Sequence, residues 1–252
     1  NDMTATCTVT VAEPVSEVKV GDYYYSDGTT SATLKSDKTV IGVVFSLNNP
    51  SQMGDSKLVE AHPDCTHGYV ISLVEYADKD FGLVSAYNGH GYYAGLGYDA
   101  NMIVDMDKAN GYGNTWAHTE LNKSKPDFCA MFNETDGVIA IHSESVQTPT
   151  DASTWYIPSY KEMQMINENR DVVNAAIVAA GGTGVAEPHA SENPLDENRS
   201  SDWYWSSTIH GSWYERGQSY DHAKYPFDIY NDSWTSSTQS YALCRVRVIL
   251  AF

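Results

Sequence analysis

An α+β fold with long loops is predicted for this chain by three observations: two apolar, β-branched runs early on, a capped helix start in the second half, and a strand-like alternation at the end. The runs are Thr39-Val-Ile-Gly-Val-Val-Phe-Ser-Leu47 and Gly68-Tyr-Val-Ile-Ser-Leu-Val74, whose near-continuous apolarity suits central strands. The helix start is Ser159-Tyr-Lys-Glu162, preceded by Pro158, where Ser caps and Glu three residues on reaches back. The closing alternation sets Leu243, Arg245 and Arg247 against Cys244, Val246 and Val248. At 252 residues the chain is long enough to bury a full core as one large domain, or as one domain with a small attachment.

In chain order, Ala5-Thr-Cys-Thr-Val-Thr-Val-Ala12 alternates with the period of a strand, and a lone strand needs a sheet. Residues 13–20 read as a linker, and the main domain as 21–252. Asp22-Tyr-Tyr-Tyr25 runs into a Ser26-Asp27-Gly28 turn. Glycines break any period between residues 85 and 113, which reads as a long surface loop tied down by its tyrosines. Helix signals follow in Asn114–Asn122 and in Pro126–Asn133, where Pro and Asp suit a first turn and Phe128, Cys129 and Phe132 share a face. After the capped helix, with Met163, Met165 and Ile166 facing the core, Asp171–Ala180 forms another helix ending at Gly181-Gly182. Residues 183–201 read as a polar loop, Trp203–Thr208 as a strand, 209–238 as a polar aromatic loop and Tyr241–Phe252 as the last strand.

Charge narrows the function. Fifteen Lys and Arg against 33 Asp and Glu leave a net charge of −18, a field that repels nucleic acid and anionic lipid. Cations are compatible ligands, yet Asp99, Asp105, Asp107 and the 192–202 run (Glu192, Asp196, Glu197, Asp202) lack EF-hand or repeat calcium spacing, so no cofactor is assigned. No run approaches the roughly 18 apolar residues of a membrane span. The opening Asn1-Asp-Met-Thr4 is not a natural start, which points to a longer precursor. Cys7, Cys65, Cys129 and Cys244 form no CxxC pair, and three disulfide pairings are possible for an exported protein. His62-Pro-Asp-Cys-Thr-His67 offers zinc-type donors, but with no second ligand pair nearby it reads as a loop entering a strand. Nucleophile-elbow, zincin and phosphate-loop motifs are missing, so no catalytic residue is assigned.

Trp155, Trp203 and Trp205 sit in core-type blocks and read as packing. The candidate ligand-binding set lies in the polar loop: Trp213, Tyr214, Arg216, Tyr220, Asp221, His222, Tyr225, Asp228 and Trp234, with Tyr230 and Asp232 beside them. Rings that cover an apolar sugar face next to carboxylates and Arg that bind hydroxyls suit a carbohydrate. The alternative is that these rings only fold the loop onto the body.

Three blocks carry a family resemblance: Trp155-Tyr-Ile-Pro-Ser-Tyr-Lys-Glu-Met163, Tyr204-Trp-Ser-Ser-Thr208 and Tyr241–Arg247, together with the helix Cys129. In this order they resemble the Lcl-type, C-type-lectin-like domains of bacterial surface adhesins and pilus-tip proteins, over roughly 110–252 and more loosely back to Gly21. Thr4–Val11 similarly resembles the last strand of a group 2 bacterial immunoglobulin-like domain, an upstream partner in the same precursor. The resemblance implies a short N-terminal strand paired with the C-terminal one, two main helices on twisted, mostly antiparallel sheets, and a Cys129–Cys244 disulfide, leaving Cys7 and Cys65 free. It implies an extracellular or outer-surface, noncatalytic module binding a glycan or a host or surface protein. The Glu-Pro-Asn, Gln-Pro-Asp and Trp-Asn-Asp motifs of calcium-dependent sugar lectins do not occur; Asn231-Asp-Ser-Trp234 has similar residues in another order, so calcium chelation is not carried over. The rival readings are a structural tip or stalk domain without a small ligand, and an enzyme of the formylglycine-generating type, which needs two neighbouring late cysteines where only Cys244 stands.

Overall fold

The computed structural model describes residues 17–79, 96–99, 102–124, 130–186, 200–211, 222–228, 233–234 and 243–252. Both apolar runs become strands, β3 (Val40–Ser46) and β4 (Tyr69–Lys79), which pair antiparallel from Gly42↔Ser72 to Ser46↔Tyr69. The tyrosine run forms β1 (Tyr23–Tyr25), which turns at Gly28 (φ +81°) into the two-residue β2 (Thr30–Ser31). With β5 (Ser200–Gly211), β6 (His222–Asp228), β7 (Ser233–Trp234) and β8 (Leu243–Ala251), the described strands make one sheet in the order β2-β1-β3-β4-β8-β5-β6-β7. Every neighbouring pair is antiparallel except β5 with β8.

The sheet is buried on both faces, which is why its central strands are apolar almost without interruption. Alternate residues of β8 divide between two cores: Val246, Val248 and Leu250 join one, Ile249 and Ala251 the other. The first core also takes Ala117 and Leu121 from helix α2 (Gly111–Ser124), with Trp155 and Trp205. The second takes Met163 and Ile166 from α4 (Tyr160–Glu168) and Val173 and Ile177 from α5 (Arg170–Ala179). Helices α1 (Ser56–Ala61) and α3 (Val138–Ser145) complete the described α-helices. None of the described helices is long and apolar enough to cross a membrane. Val18 and Val20, in the stretch read as linker, pack against the two cores.

The structure differs from the sequence reading at several points. The stretch 209–238 holds two strands as well as loop, because His222–Asp228 pairs with β5 from Gly211↔His222 to Tyr204↔Phe227. Pro226 hides that strand in the sequence. It is tolerated because β7 reaches only Phe227 and Asp228, leaving the proline paired with β5 alone. Helix α2 starts at Gly111, inside the stretch read as loop, since buried carboxylates hold its first amides. Five α-helices are described where two main ones are implied, and α2, with 14 residues, is the longest. The last strand does not pair with β1: its two neighbours are β4 and β5, which occupy both of its edges. Among the described residues there is no disulfide. Cys244 is fully buried on β8 at the register of Lys79, Cys65 is a buried free thiol, and Cys7 and Cys129 lie outside the described residues.

Candidate functional site

The three sequence blocks interlock. Tyr156 exchanges both backbone hydrogen bonds with Ile249 at 2.9 Å, and Ser153 N donates to Ala251 O, stitching the approach to α4 onto β8. In β5 the register jumps between Trp205 and Ile209, so Ser206-Ser207-Thr208 bulges out of the ladder. The bulge works as a plug for the helices: Ser207 N donates to Pro158 O (2.8 Å), Tyr160 N to Thr208 Oγ1 (2.9 Å), and Ser207 O meets His118 Nε2 of α2 at 2.9 Å. The Ser159–Glu162 capping box is formed as the sequence predicts. Trp155 and Trp205 are buried in the core, their indoles donating to Val146 O and Lys79 O, while Trp203 is half-buried.

Three buried carboxylates stand behind this scaffold. Glu75 on β4 pairs with Arg245 (2.6 Å) and Arg247 (2.7 Å) of β8 and accepts the Tyr204 hydroxyl (2.5 Å). Arg247, with no exposure, also donates to Ser72 O and Thr183 O. Glu162 has no such cation among the described residues. Its oxygens accept from Ser159 N (2.7 Å), Ser159 Oγ (2.8 Å), Tyr156 OH (3.0 Å) and Gly111 N (3.1 Å), and burial pushes its carboxyl up to about 7. Asp55 repeats the arrangement, capping α1 through Lys57 N and Leu58 N and accepting Gly113 N at 2.8 Å; burial raises it as well.

The buried His118, His142 and Cys65 are also held by the protein. Burial lowers His118 and His142 to about 4; His142 contacts Tyr76 OH (3.0 Å) and Ser72 Oγ (3.3 Å). Burial raises the Cys65 thiol to about 11, and it donates to Ala251 O, which is the opposite of an activated nucleophile. The donors of the 62–67 motif diverge: His62 meets Tyr112 OH at 3.2 Å, whereas His67 stacks on Phe252. No group of three His, Cys, Asp or Glu is placed to hold a metal ion among the described residues.

Of the candidate ligand residues, His222, Tyr225 and Asp228 lie on β6 and Trp234 on β7, where it pairs with Phe227. Trp213, Tyr214, Arg216, Tyr220 and Asp221 lie outside the described residues. The structure adds a recess that the sequence does not reveal. A groove of about 520 Å³ is lined by Val18, Tyr24, the turn residues Asp27 to Thr30, Asp64, His67, Asp151 and Phe252. The Phe252 ring lies 5.0 Å from Tyr24 and 6.1 Å from His67, giving an aromatic floor under a carboxylate rim. Asp27 is held well down, to about 2, by hydrogen bonds from Lys38 and Thr29.

No family model matches the chain. Over 229 residues, 78% of the chain, it is 22% identical to a Bacteroides ovatus protein assigned as the fimbrium tip subunit Fim1C, covering 40% of that protein. The crystal structure of a fimbrial protein, also from Bacteroides ovatus, matches 93% of the chain with a TM-score of 0.67 at 18% identity. The chain shares its fold with a fimbrial protein. It spans 40% of the first relative and 49% of the second, less than half the length of either.

The groove draws on well-separated segments, from Val18 to Phe252, so no local spacing could announce it. The one local signal was the Ser26-Asp27-Gly28 turn, read only as a turn. The Glu75–Arg247 pair was half visible, as an arginine recurring in a strand otherwise apolar, but its partner is 172 positions away.

Proposed function

We propose that this chain is a noncatalytic, C-type-lectin-like module of a fimbrium, displayed at the outer cell surface and acting by adhesion. The observation that carries the reading is the fimbrial fold match across 93% of the chain. The chemistry agrees with it: the buried His118, His142, Cys65 and Glu162 are engaged within the protein, and the Cys65 thiol is held protonated. The upstream immunoglobulin-like segment would be its neighbour in the same precursor. Contact with a glycan or a host or surface protein is assigned to the aromatic set from Trp213 to Trp234, whose rings and carboxylates suit sugars. The helix-to-strand disulfide belongs to the same reading. Cys129–Cys244 would close a loop of about 115 residues and contribute about 4–5 kcal/mol, and non-reducing mass mapping that finds Cys129 as a free thiol ends it.

The test has two arms. Antibody labelling of intact cells should decorate fimbriae, and protease treatment of those cells should remove the signal; a purely intracellular signal overturns the display. Glycan and matrix-protein arrays should give binding that is lost on Trp213→Ala with Tyr214→Ala. A flat array together with labelled fimbriae leaves the module a structural tip or stalk domain.

A further inference from the structure

We propose that the groove between the β1–β2 turn, the approach to β4 and Phe252 binds a lysine or arginine side chain presented by a basic polypeptide segment. It shares no residue with the 209–238 region, and it does not rest on the fimbrial reading.

Tyr24 is the decisive observation. It is only 2% exposed and lines the groove, yet its hydroxyl has no hydrogen-bond partner among the described residues. The side chain is held by the core while its hydroxyl opens on the groove, so a donor and an acceptor at a fixed position are available to a bound group. Around it, Asp64 and Asp151 have no ion-pair partner among the described residues, while Asp27 is already paired with Lys38 at 2.8 Å. Among the described residues, no basic side chain other than His67 lines the recess. Burial raises the Tyr24 phenol, and the Asp151 and Asp27 carboxylates add a negative field, so the hydroxyl is neutral and stands in a negative potential.

The class of cation follows from the arrangement. The rim carboxylates do not converge as a metal cluster among the described residues, which disfavours a bare metal ion. An ammonium or guanidinium on an apolar stem fits better: the stem lies over Phe252 between Tyr24 and His67, and the charged head reaches the carboxylates and the phenol. A volume of about 520 Å³ admits such a side chain with its flanking backbone, within the ordinary range of ligand clefts. The walls are preformed. His67 N and Gly68 N both donate to Phe252 O, at 2.7 and 3.2 Å, and a Cβ on Gly28 would meet Pro149 at 3.4 Å. The chain's net charge of −18 would further steer a basic partner toward it.

The experiment is calorimetric titration of the full chain with tetralysine amide at low salt, beside tetraglutamate and neutral oligosaccharides. Saturable one-to-one binding of tetralysine is expected, weakened several-fold by Tyr24→Phe and about tenfold by Asp64→Asn with Asp151→Asn, as lost charge-assisted contacts require. A control of equal charge change, Asp107→Asn with Glu168→Gln on exposed sites, should leave it unchanged. Equal weakening by the control, insensitivity to Tyr24→Phe, or no tetralysine binding overturns the proposal. Binding of a neutral oligosaccharide that Tyr24→Phe abolishes overturns it in favour of a sugar site. Unfolding midpoints establish that each variant is folded, and if the double aspartate variant is not, Tyr24→Phe decides.

Discussion

The charge centre between β4 and β8 and the one beneath the starts of α2 and α4 bury carboxylates of the same chemistry in different company. Glu75 faces two guanidinium groups, whereas Glu162 and Asp55 face amides, hydroxyls and the positive ends of helices. The first centre keeps its charges by mutual compensation, so its cost appears only when one partner is removed. The second has no full counter-charge and answers desolvation by holding its proton, so its cost appears with pH. The contrast explains why β8 carries arginines in an apolar strand and why α2 opens with Gly111-Tyr-Gly113. The arginines neutralise a carboxylate that β4 buries, and the glycines let two carboxylates reach the helix amides.

The largest effect should come from breaking the compensated centre. Arg247→Met leaves Glu75 with Arg245 and Tyr204, removes the donors to Ser72 O and Thr183 O, and should cost about 3–5 kcal/mol in urea unfolding. Adding Glu75→Gln should cost less than the sum of the two single changes, because the stranded charge is then gone. Strict additivity would mean that the pair is not energetically linked.

The second centre should respond to pH. Glu162 is raised on folding from 4.5 to about 7, so its contribution is complete below pH 4.5 and is lost as pH rises to about 7, a span of about 3 kcal/mol. His118 and His142 are lowered from 6.5 to about 4, so their contribution is complete above pH 6.5 and is lost as pH falls toward 4. Asp55, raised as well, adds to the falling side, and the opposed terms place the stability maximum on the acid side of neutrality. Glu162→Gln should flatten the falling limb, leaving only the part that the raised Asp55 carries, and should leave the rising limb, read as unfolding free energy against pH. A falling limb of unchanged slope in that variant assigns the proton elsewhere.

Gly111→Ala tests the close approach itself. The new Cβ would overlap Glu162 Oε2 and lie 2.7 Å from Ser159 N and 2.9 Å from Ile157 O, and since two of these are backbone atoms they cannot swing away. Overpacking of this kind costs about 1–3 kcal/mol. A wild-type melting temperature for the variant would show that α2 and the α4 start are free to separate.

How much of this was legible varies with the range of the interaction. The Ser159–Glu162 box, the strands around Val43 and Ile71 and the glycine that ends α5 (Gly181, φ +81°) are local patterns, and the sequence shows each of them. The start of α2 was hidden because the partners of its amides sit 58 positions away on Asp55 and 51 positions away on Glu162, whereas the start of α1 is capped by the adjacent Asp55, a local signal that the sequence reading passed over. Pro226 concealed β6 because an edge-like pairing excuses a residue that propensity forbids. The groove was invisible for the same reason as the Glu75 pair: its chemistry exists only once the β1–β2 turn, the approach to β4, Asp151 and Phe252 are brought together.

The smallest effect belongs to the neutral contact that joins the bulge to α4. Thr208 Oγ1 accepts Tyr160 N at 2.9 Å, the first amide of the helix, in a site where both residues are buried. Thr208→Val keeps the shape and removes the acceptor, leaving one buried amide unsatisfied at a cost of about 1–2 kcal/mol. The neighbouring amides keep their partners, since Glu162 still holds Ser159 N and Ser159 Oγ still holds Glu162 N. The pH profile of the variant should therefore run parallel to that of the wild type, displaced downward. If the profile changes shape instead, the bulge and the Glu162 carboxyl form one coupled unit, and the amide-held centre extends through Ser206–Thr208 into the sheet.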